Sequence, residues 1–540
     1  MNTATFVGRF LAARGVRHAF GHPGSDVMDL IDGLEVAGID FVLTHHENTA
    51  AFMANAVGML TGLPGITVAT KGPGATNITS GVAAAYLDRA PHLCFTAHID
   101  ETTRATYVHQ HLPVVDLYRP ITKLAAELTA DNAAELLPRA FRTAISGLPG
   151  SAYLPISARQ QTSALPFSDQ ELTAIIEAPI EPEPQRVPDL SAAVETVRAA
   201  KRLVVVVGPG FNHVDGHDAL LEAIEALGAP ACVTPGAIGQ VPADHPLYAG
   251  MYGWYDAPLQ RLLQEADVVL TVGLDGWDIL TPYRGGAKIV SLASVAASDP
   301  TFQPVAHALE GDLRAMLHVM ATHGRGEREW GTEQAAAVRQ EIDRNLQVTP
   351  EHDESDGIPP QVVITALRAA APRKTIFTCD VGAHKSLACQ AWKAYAPRTF
   401  LVTNGLSPMG FGLASAMAAK LVHPDRPVVS VIGDGGLLMY GGELATWARL
   451  GLPLTLVVMV DGSLTQIQRR QERKGYSTRS TTFQRVDYSA MARAFGIDAL
   501  KAERTAELCQ AVERALQAER PVLIEAVLDV QEYRRIPGTP

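Results

Sequence analysis

Short apolar runs alternate with longer helical patterns along the whole chain. The apolar runs have the length of strands and lie at positions 41–43, 66–69, 203–207, 268–272, 428–432 and 454–460. Because these runs are almost continuously hydrophobic, they are typical of parallel strands that helices cover on both faces. Helical spacing occurs between them, for example at positions 49–60 and 190–200. The pattern predicts an α/β fold built from doubly wound parallel sheets.

Two polar segments interrupt this alternation and suggest domain boundaries. Residues 178–184 contain three prolines and two glutamates, which favour extended backbone and stop a helix from continuing. Residues 348–360 are rich in polar and turn-forming residues. We therefore expect three α/β domains, at about residues 1–175, 185–325 and 357–540.

The composition is that of a globular protein and argues against several classes of function. The chain has 540 residues, of which 47% are hydrophobic and 19% charged, and its net charge is −12. Since negative charge repels nucleic-acid phosphates, and Glu472 interrupts the one basic run, we expect no nucleic-acid partner. The apolar runs are too short to cross a membrane, and no secretory pattern is visible. Five scattered cysteines without metal or CxxC spacing suggest reduced thiols and a cytoplasmic location.

Two segments of the first domain place polar groups where a strand meets a helix. Glu47 follows the first of the predicted strands, at the kind of edge where open parallel sheets bind ligands. A glutamate in a first helical turn also complements the helix dipole without any catalytic role. The glycine-rich turn from Lys71 to Asn77 could face an anion or a flat ring, or serve only as a tight turn. It does not match the phosphate-loop pattern, because Lys71 precedes the glycines.

The third domain contains the most specific pattern, a pair of aspartates at the ends of two buried strands. Asp434 stands between glycines after the strand at 428–432, and Asp461 follows the strand at 454–460. Each aspartate alone is explained by a turn, but adjacent strands would bring the two together. Two carboxylate oxygens, a backbone carbonyl and a bound diphosphate match what Mg²⁺ requires. The pair therefore favours a metal site.

In this order, the motifs resemble the thiamine-diphosphate-dependent 2-oxoacid decarboxylase and carboligase family, of the acetolactate synthase type. The resemblance covers nearly the whole chain, and it rests on residues 46–47, 72–77, 119–123, 409–413 and 433–435. It implies pyrimidine-binding, central and diphosphate-binding domains, with thiamine diphosphate and Mg²⁺ as cofactors. It also implies a homodimer or a dimer of dimers, with Glu47 and Asp434 of different chains meeting one cofactor.

The resemblance implies a role for each matching residue. Glu47 matches the glutamate that hydrogen-bonds the aminopyrimidine ring and activates the cofactor, with His46 beside it and Gln110 facing the reactive ring. Ser407 and Met409 match positions that hold the pyrimidine and keep the cofactor bent. The remaining expected cofactor contacts are Gly72, Gly74, Asn77, Gly382, His384, Gly433, Gly435 and Gly436. Asp434, Asp461 and the Ser463 carbonyl are the expected Mg²⁺ ligands.

The sequence departs from the family pattern in three places. The second metal ligand is usually asparagine, and Asp461 supplies the same oxygen with one more negative charge. Lys71 stands where a small residue is common, and its ammonium could pair with a substrate anion or reach solvent. Gln466 and Arg470 stand where the acetolactate synthases have apolar and aromatic residues. The charged run around Arg470 is also typical of an exposed helix face. Because arginine suits a carboxylate or phosphonate, we nevertheless expect a polar or anionic substrate.

The central domain resembles one that binds FAD in some acetolactate synthases. The turn at residues 208–210 lacks the third glycine of a dinucleotide fingerprint, and residues 273–277 also differ from the expected flavin segment. We therefore expect FAD to be absent. Residues 250–254 complete the resemblance of this domain.

The resemblance implies decarboxylation of a 2-oxoacid, followed by addition of the product to an aldehyde or ketone acceptor. Simple decarboxylation or carbon–carbon cleavage that releases an aldehyde is the alternative. A flavin- or nicotinamide-dependent oxidoreductase and a non-catalytic binding module are two further classes, and the presence of Glu47 argues against the latter.

Overall fold

The computed structural model describes residues 1–253, 257–278, 281–295, 301–348, 352–353 and 356–535. These residues form three six-stranded sheets in which every strand pair is parallel. The predicted class, α/β with three parallel-sheet domains, is therefore confirmed. Trp254, part of a segment used in the sequence comparison, lies outside the described residues.

The strands agree with the predicted apolar runs. The first sheet contains β1 (His18–His22), β2 (Asp40–Leu43), β3 (Gly65–Ala69), β4 (His92–His98), β5 (Leu124–Ala125) and β6 (Ser151–Ser157). The second contains β7 (Leu203–Val207), β8 (Ala231–Val233), β9 (Tyr248–Met251), β10 (Val268–Val272), β11 (Lys288–Ala293) and β12 (Val305–Glu310). The third contains β13 (Ile376–Cys379), β14 (Phe400–Leu401), β15 (Val428–Gly433), β16 (Thr455–Val460), β17 (Asp498–Ala502) and β18 (Val522–Val527).

Helices lie between the strands, as the pattern predicts. Those of the first third are α1 (Thr3–Ala13), α2 (Met28–Val36), α3 (Glu47–Thr61), α4 (Pro73–Asn77), α5 (Thr79–Leu87), α6 (Glu101–Arg104), α7 (Val114–Tyr118), α8 (Ala133–Ile145), α9 (Ala158–Thr162) and α10 (Asp169–Glu177). The middle third contains α11 (Ser191–Ala199), α12 (His217–Leu227), α13 (Ala257–Glu265), α14 (Leu313–His323) and α15 (Thr332–Asn345). The last third contains α16 (Pro360–Ala370), α17 (Ala383–Ala391), α18 (Phe411–Val422), α19 (Asp434–Met439), α20 (Glu443–Leu450), α21 (Thr465–Arg473), α22 (Tyr488–Ala494), α23 (Thr505–Leu516) and α24 (Glu532–Arg535).

The first and third sheets share one strand succession. Their orders are β2-β1-β3-β4-β6-β5 and β14-β13-β15-β16-β18-β17. The second sheet has the order β12-β11-β10-β7-β8-β9. Each sheet has a point where successive strands begin to be added on the opposite side of the sheet. This switch point lies between β1 and β3 in the first sheet, between β7 and β10 in the second, and between β13 and β15 in the third. Open α/β sheets bind ligands outside the carboxyl ends of the strands at such a switch point.

The chain divides into two compact units that are not contiguous in sequence. The first unit contains Met1–Glu183 together with Leu406–Val422 and Tyr440–Leu450, so α18 and α20 pack with the first sheet's unit. The second unit contains the second and third sheets. Leu406–Val422 and Tyr440–Leu450 join the first unit through tertiary packing. The alternation of apolar runs and helical patterns along the sequence does not predict this.

Burial explains the near-continuous apolar strands. β7 and β16 are buried at every position, because helices cover both faces of their sheets. The described cysteines are all free thiols, four of them buried, in agreement with the absence of a disulfide pattern. Among the described residues, no helix has the length and apolarity that crossing a membrane requires.

Candidate active site

Glu47 lies at the first turn of α3 and its carboxylate is oriented by Asn77. His46 caps this helix, since its Nδ1 atom accepts the backbone N–H of Asn48 at 3.0 Å. Because Nδ1 accepts this bond, Nε2 is the ring nitrogen that can donate. Glu47 is buried, and the side-chain amide of Asn77 donates to its Oε2 atom at 3.1 Å. Two motifs that the sequence offered separately therefore meet.

The glycine-rich turn approaches both Glu47 and Gln110. Gly72 has a φ of +63°, and a Cβ atom there would lie 2.7 Å from the Cβ atom of Gln110. A Cβ atom on Gly74 would lie 3.6 Å from the Oε1 atom of Glu47. The left-handed backbone and the close approach both require glycine at position 72. The structure thus gathers five of the predicted residues of the first domain: Glu47, Gly72, Gly74, Asn77 and Gln110.

Glu443, which the sequence analysis did not single out, holds the backbone that leads into α3. Its buried carboxylate accepts the backbone N–H groups of His45 at 3.1 Å and His46 at 2.8 Å, and the Thr446 hydroxyl at 2.6 Å. These bonds satisfy the N–H groups just before the first helical turn. The only available sequence signal was a single acidic residue in the first turn of a mostly apolar helix.

Tyr440 connects the Ser407–Gly410 turn to the same junction. Its ring centroid lies 5.5 Å from that of His46, in an edge-to-face arrangement. Gly410 packs so tightly on the tyrosine that a Cβ atom would collide with the ring, and its φ is +97°. Ser407 also has a positive φ of 55°, and Met409 is half-buried. The structure therefore places the predicted Ser407 and Met409 in the unit that contains Glu47.

Lys71 forms an ion pair within the chain that the sequence analysis did not consider, and its pairing with a substrate anion stays a prediction. Its ammonium forms a 2.6 Å ion pair with the Oδ2 atom of Asp26, a residue of the loop after β1. The ammonium and the Thr70 hydroxyl on Oδ1 hold the pKa of the Asp26 carboxyl below its usual range, against the opposing effect of burial. The sequence carries no signal for Asp26, because the loop after β1 has no distinctive spacing.

The second unit brings together the aspartates at the ends of β15 and β16, which are neighbouring strands. The Oδ2 atom of Asp434 accepts the backbone N–H groups of Asp461 at 3.1 Å and Gly462 at 2.7 Å. Its Oδ1 atom accepts the N–H of Gly435 at 2.8 Å. Burial nevertheless raises the pKa of Asp434. Asp434 and Asp461 therefore lie side by side at the ends of adjacent strands.

Asp461 completes an oxygen-rich cluster with two hydroxyl groups. Its Oδ1 atom accepts the N–H of Ser463 at 3.0 Å, and its Oδ2 atom accepts the Thr465 hydroxyl at 2.5 Å. Burial and the charge of Asp434 raise the pKa of Asp461 to about 7. Two acids that resist ionisation side by side, with oxygen donors around them, suit a hard divalent cation. Thr465 is a member that sequence reasoning missed.

His384 lies between the two strand-end loops of the third sheet. A Cβ atom on Gly382 would lie 2.7 Å from its Cε1 atom, and one on Gly433 would lie 3.0 Å from it. Among the described residues, its buried Nε2 atom has no hydrogen-bond partner. Burial and the neighbouring Lys385 lower the pKa of His384 to about 4, against a hydrogen bond from the ring to the Asp380 backbone, so the ring is neutral and Nε2 carries no proton. Gly436 is equally restricted, because a Cβ atom there would collide with Asp380.

Gln466 and Arg470 lie on α21, in the second unit. Arg470 is exposed and Gln466 is half-buried. Their assignment to a substrate anion stays a prediction.

Three family models of one class of cofactor-dependent enzymes match the sequence over most of the chain. Residues 1–117 match the N-terminal TPP binding domain of thiamine pyrophosphate enzymes, residues 190–320 the central domain, and residues 380–526 the C-terminal TPP binding domain. The chain belongs to the family of thiamine pyrophosphate enzymes.

Its relatives include several acetolactate synthases. The acetolactate synthase of Bacillus subtilis is 30% identical over 97% of this chain and 92% of its own length. The large subunit of acetolactate synthase isozyme 2 of Escherichia coli is 29% identical over 98% of this chain and 96% of its own length. A probable acetolactate synthase large subunit of Methanococcus aeolicus is 27% identical over 98% and 92%, respectively.

Proposed function

We propose that this enzyme uses thiamine diphosphate and Mg²⁺ to decarboxylate a 2-oxoacid and to join the remaining acyl unit to an aldehyde or ketone. The observation that carries the proposal is the buried Glu47 carboxylate, oriented by Asn77, in a chain that aligns along nearly its whole length with acetolactate synthases. Bound thiamine diphosphate supplies the carbanion chemistry that amino-acid side chains lack.

The side chains fit such a cofactor on two counts. The buried, unpartnered Nε2 atom of His384 and the glycines around it suit a diphosphate, because its negative charge would favour the protonated ring, whose Nε2–H would donate to a phosphate oxygen. Asp434 and Asp461 would hold Mg²⁺ with the Ser463 carbonyl. Because the charge of each acid disfavours ionisation of the other, a divalent cation would relieve their repulsion.

The groups of the first unit would act on the organic part of the cofactor and on the substrate. Glu47 would exchange a proton with the aminopyrimidine through its Oε1 atom, while Asn77 keeps Oε2 in place. Ser407 and Met409 would hold the pyrimidine, and Gln110 would face the reacting ring. Glu443 is a positioning residue, because it binds the N–H groups of His45 and His46 and not the reacting atoms.

We propose that the central domain acts without FAD. The switch point between β7 and β10 is closed by backbone contacts, since the N–H of Gly210 donates to the Gly273 carbonyl at 2.8 Å. A Cβ atom on Gly208 would lie 2.5 Å from that same oxygen. An absorbance spectrum of protein purified without added flavin tests this proposal, and a flavin band would contradict it.

We also propose that the working unit is a homodimer in which Glu47 of one chain and Asp434 of the other serve one cofactor. The family resemblance supports this arrangement. Mixing Glu47→Gln with Asp434→Ala chains under conditions of subunit exchange tests it, because half of the sites in a mixed dimer would be intact and activity would reappear.

The central experiment is a panel of 2-oxoacids with thiamine diphosphate and Mg²⁺, each with and without an aldehyde acceptor. CO₂ release with a newly joined carbon skeleton is the expected result, whereas free aldehyde alone would favour simple decarboxylation. Glu47→Gln should abolish turnover, and the matched change of the exposed Glu35→Gln should not. Wild-type rates in Glu47→Gln would overturn the role of Glu47.

A further inference from the structure

Asp26 and Lys71 form a half-buried ion pair to which the proposed function gives no role. The two charged atoms lie 2.6 Å apart, and their side chains are 11% and 17% exposed. The Thr70 hydroxyl donates to the other oxygen of Asp26 at 2.5 Å. The pair is therefore mostly shielded from solvent but open on one side.

A buried glutamine fixes the loop that presents Asp26. The Nε2 atom of Gln161 donates to the backbone carbonyl of Asp26 at 2.7 Å, and its Oε1 atom accepts the N–H of Leu30 at 3.0 Å. Gln161 is fully buried. An ordinary surface ion pair has no such support, and such pairs stabilise proteins little.

The pair lies at the switch point of the first sheet. Asp26 follows β1 and Lys71 follows β3, and these adjacent strands are the two between which the strand order reverses. Ligands of open α/β sheets bind at this position, outside the carboxyl ends of the strands.

Contacts connect the pair to the proposed reaction centre. The methyl group of Thr70 would lie 2.8 Å from a Cβ atom on Gly74, and that Cβ atom would lie 3.6 Å from the Glu47 carboxylate. Lys71 itself directly precedes Gly72, which packs on Gln110. Thr70, whose hydroxyl binds Asp26, therefore adjoins the Gly74 backbone that also faces Glu47, within the same unit.

The chemistry of decarboxylation limits what this pair can bind. An ammonium on the carboxylate that leaves as CO₂ would stabilise the charged ground state more than the transition state, which has less charge there. The Asp26 charge also cancels most of the attraction of Lys71 for a second anion. A hydroxyl suits both partners, since its oxygen accepts from the ammonium and its proton is donated to the carboxylate.

We propose that the Asp26–Lys71 pair is a specificity site for a hydroxyl group on the carbon chain of the 2-oxoacid or of the aldehyde acceptor. The proposal rests on the proposed function. The specificity site extends the proposed function, because it names a hydroxylated substrate instead of an unsubstituted or an anionic substrate.

The test compares matched substrates in the fully loaded enzyme. Hydroxypyruvate is paired with pyruvate as donor, glycolaldehyde with acetaldehyde as acceptor, and oxaloacetate provides the anionic arm. The wild-type enzyme should prefer the hydroxylated member of one of the first two pairs. Lys71→Met should reduce that preference by about 10- to 100-fold, the effect of losing a hydrogen bond to a charged group.

Two further variants keep the test decisive. The double variant Asp26→Asn with Lys71→Met removes both charges, so no buried charge is left unpaired, and it should show the same loss of preference. Lys201→Met removes a lysine that pairs with Glu327 in the other unit, and it should leave the preference unchanged.

The possible failures are distinguishable. No turnover of any 2-oxoacid by the wild-type enzyme would overturn the proposed function itself. Turnover with equal rates on hydroxylated and plain substrates would overturn only the role of the pair. A preference for oxaloacetate that Lys71→Met removes would overturn the hydroxyl in favour of a second anion.

Discussion

The side-chain amide of Asn77 donates a hydrogen bond to the carboxylate of Glu47 at 3.1 Å, across 30 residues of sequence. The bond joins the end of the glycine-rich turn to the first turn of α3. Because it occupies the Oε2 atom, it leaves Oε1 as the carboxylate oxygen that Glu47 presents.

Removing this bond should lower activity without unfolding the protein. We expect Asn77→Ala to lower kcat/KM by about 10- to 100-fold, because a hydrogen bond to a charged group is lost. Asn77→Asp should lower it further, since a second carboxylate would repel Glu47. Steady-state kinetics with saturating cofactor measure both, and equal activity of the two variants would contradict this account.

Glu443 should matter through the backbone that it holds. Glu443→Ala removes the oxygen that accepts the N–H groups of His45 and His46, and we expect it to cost about 1–3 kcal/mol of unfolding free energy. Thr446→Val is the matched control, because it removes only the hydroxyl contact. Chemical unfolding measures the difference, and an equal effect of the two variants would contradict the assignment.

Gly410 should tolerate no side chain, for two reasons that can be separated. Its φ of +97° is strained for alanine, and a Cβ atom would also collide with Tyr440. Gly451 has a φ of +61°, and a Cβ atom there would meet nothing within 4 Å among the described residues. We therefore expect Gly410→Ala to lower the melting temperature well below that of Gly451→Ala. Similar melting temperatures would show that the ring contact is unimportant.

Asp461→Asn should stabilise the metal-free protein at neutral pH. The pKa of Asp461 is raised to about 7 by burial and by Asp434, so its ionisation opposes folding. This cost is absent at pH values below the unfolded pKa, near 4, and grows until the pH passes the folded value. In chelator-treated protein, the advantage of the variant should therefore appear at pH 7.5 and vanish at pH 4. Added Mg²⁺ should raise the wild-type melting temperature, and no response would contradict the metal site.

His92 should make the protein less stable in mild acid. It is fully buried, and burial lowers its pKa to about 3, while the unfolded chain retains an ordinary value near 6.5. Between these values the unfolded state binds more protons, so the free energy of unfolding falls by about 1.4 kcal/mol per pH unit below 6.5. His92→Gln removes this dependence. Urea unfolding of both proteins at pH 7.5 and pH 5 measures the change in unfolding free energy between the two pH values. An equal change in the wild type and in His92→Gln would contradict this role of His92.

The metal cluster shows how far sequence alone can reach. Asp434 and Asp461 each follow a buried apolar run, and in a parallel sheet the carboxyl ends of strands share one edge. Their proximity therefore followed from the strand assignment. Thr465 did not, because its hydroxyl reaches Asp461 only through the local turn at Ser463.

Other parts of the site depend on contacts between distant segments. Glu443 binds the N–H of His45 across 398 residues of sequence, and Asp26 binds Lys71 across 45. Neither acid stands in a motif, so only the folded chain reveals its partner. The sequence likewise does not predict that Tyr440 belongs to the first unit, because its segment lies in the last third of the chain.

Apolar periodicity and strand-end motifs are properties of neighbouring residues, so the local elements, the parallel sheets and the family are readable from the sequence. Which segments share a unit, which acid holds each N–H group, and the pairing of Lys71 with Asp26 are visible only in the folded chain. These outcomes depend on the packing of helices and loops far apart in the chain, and burial then sets the charge state of the groups that packing brings together.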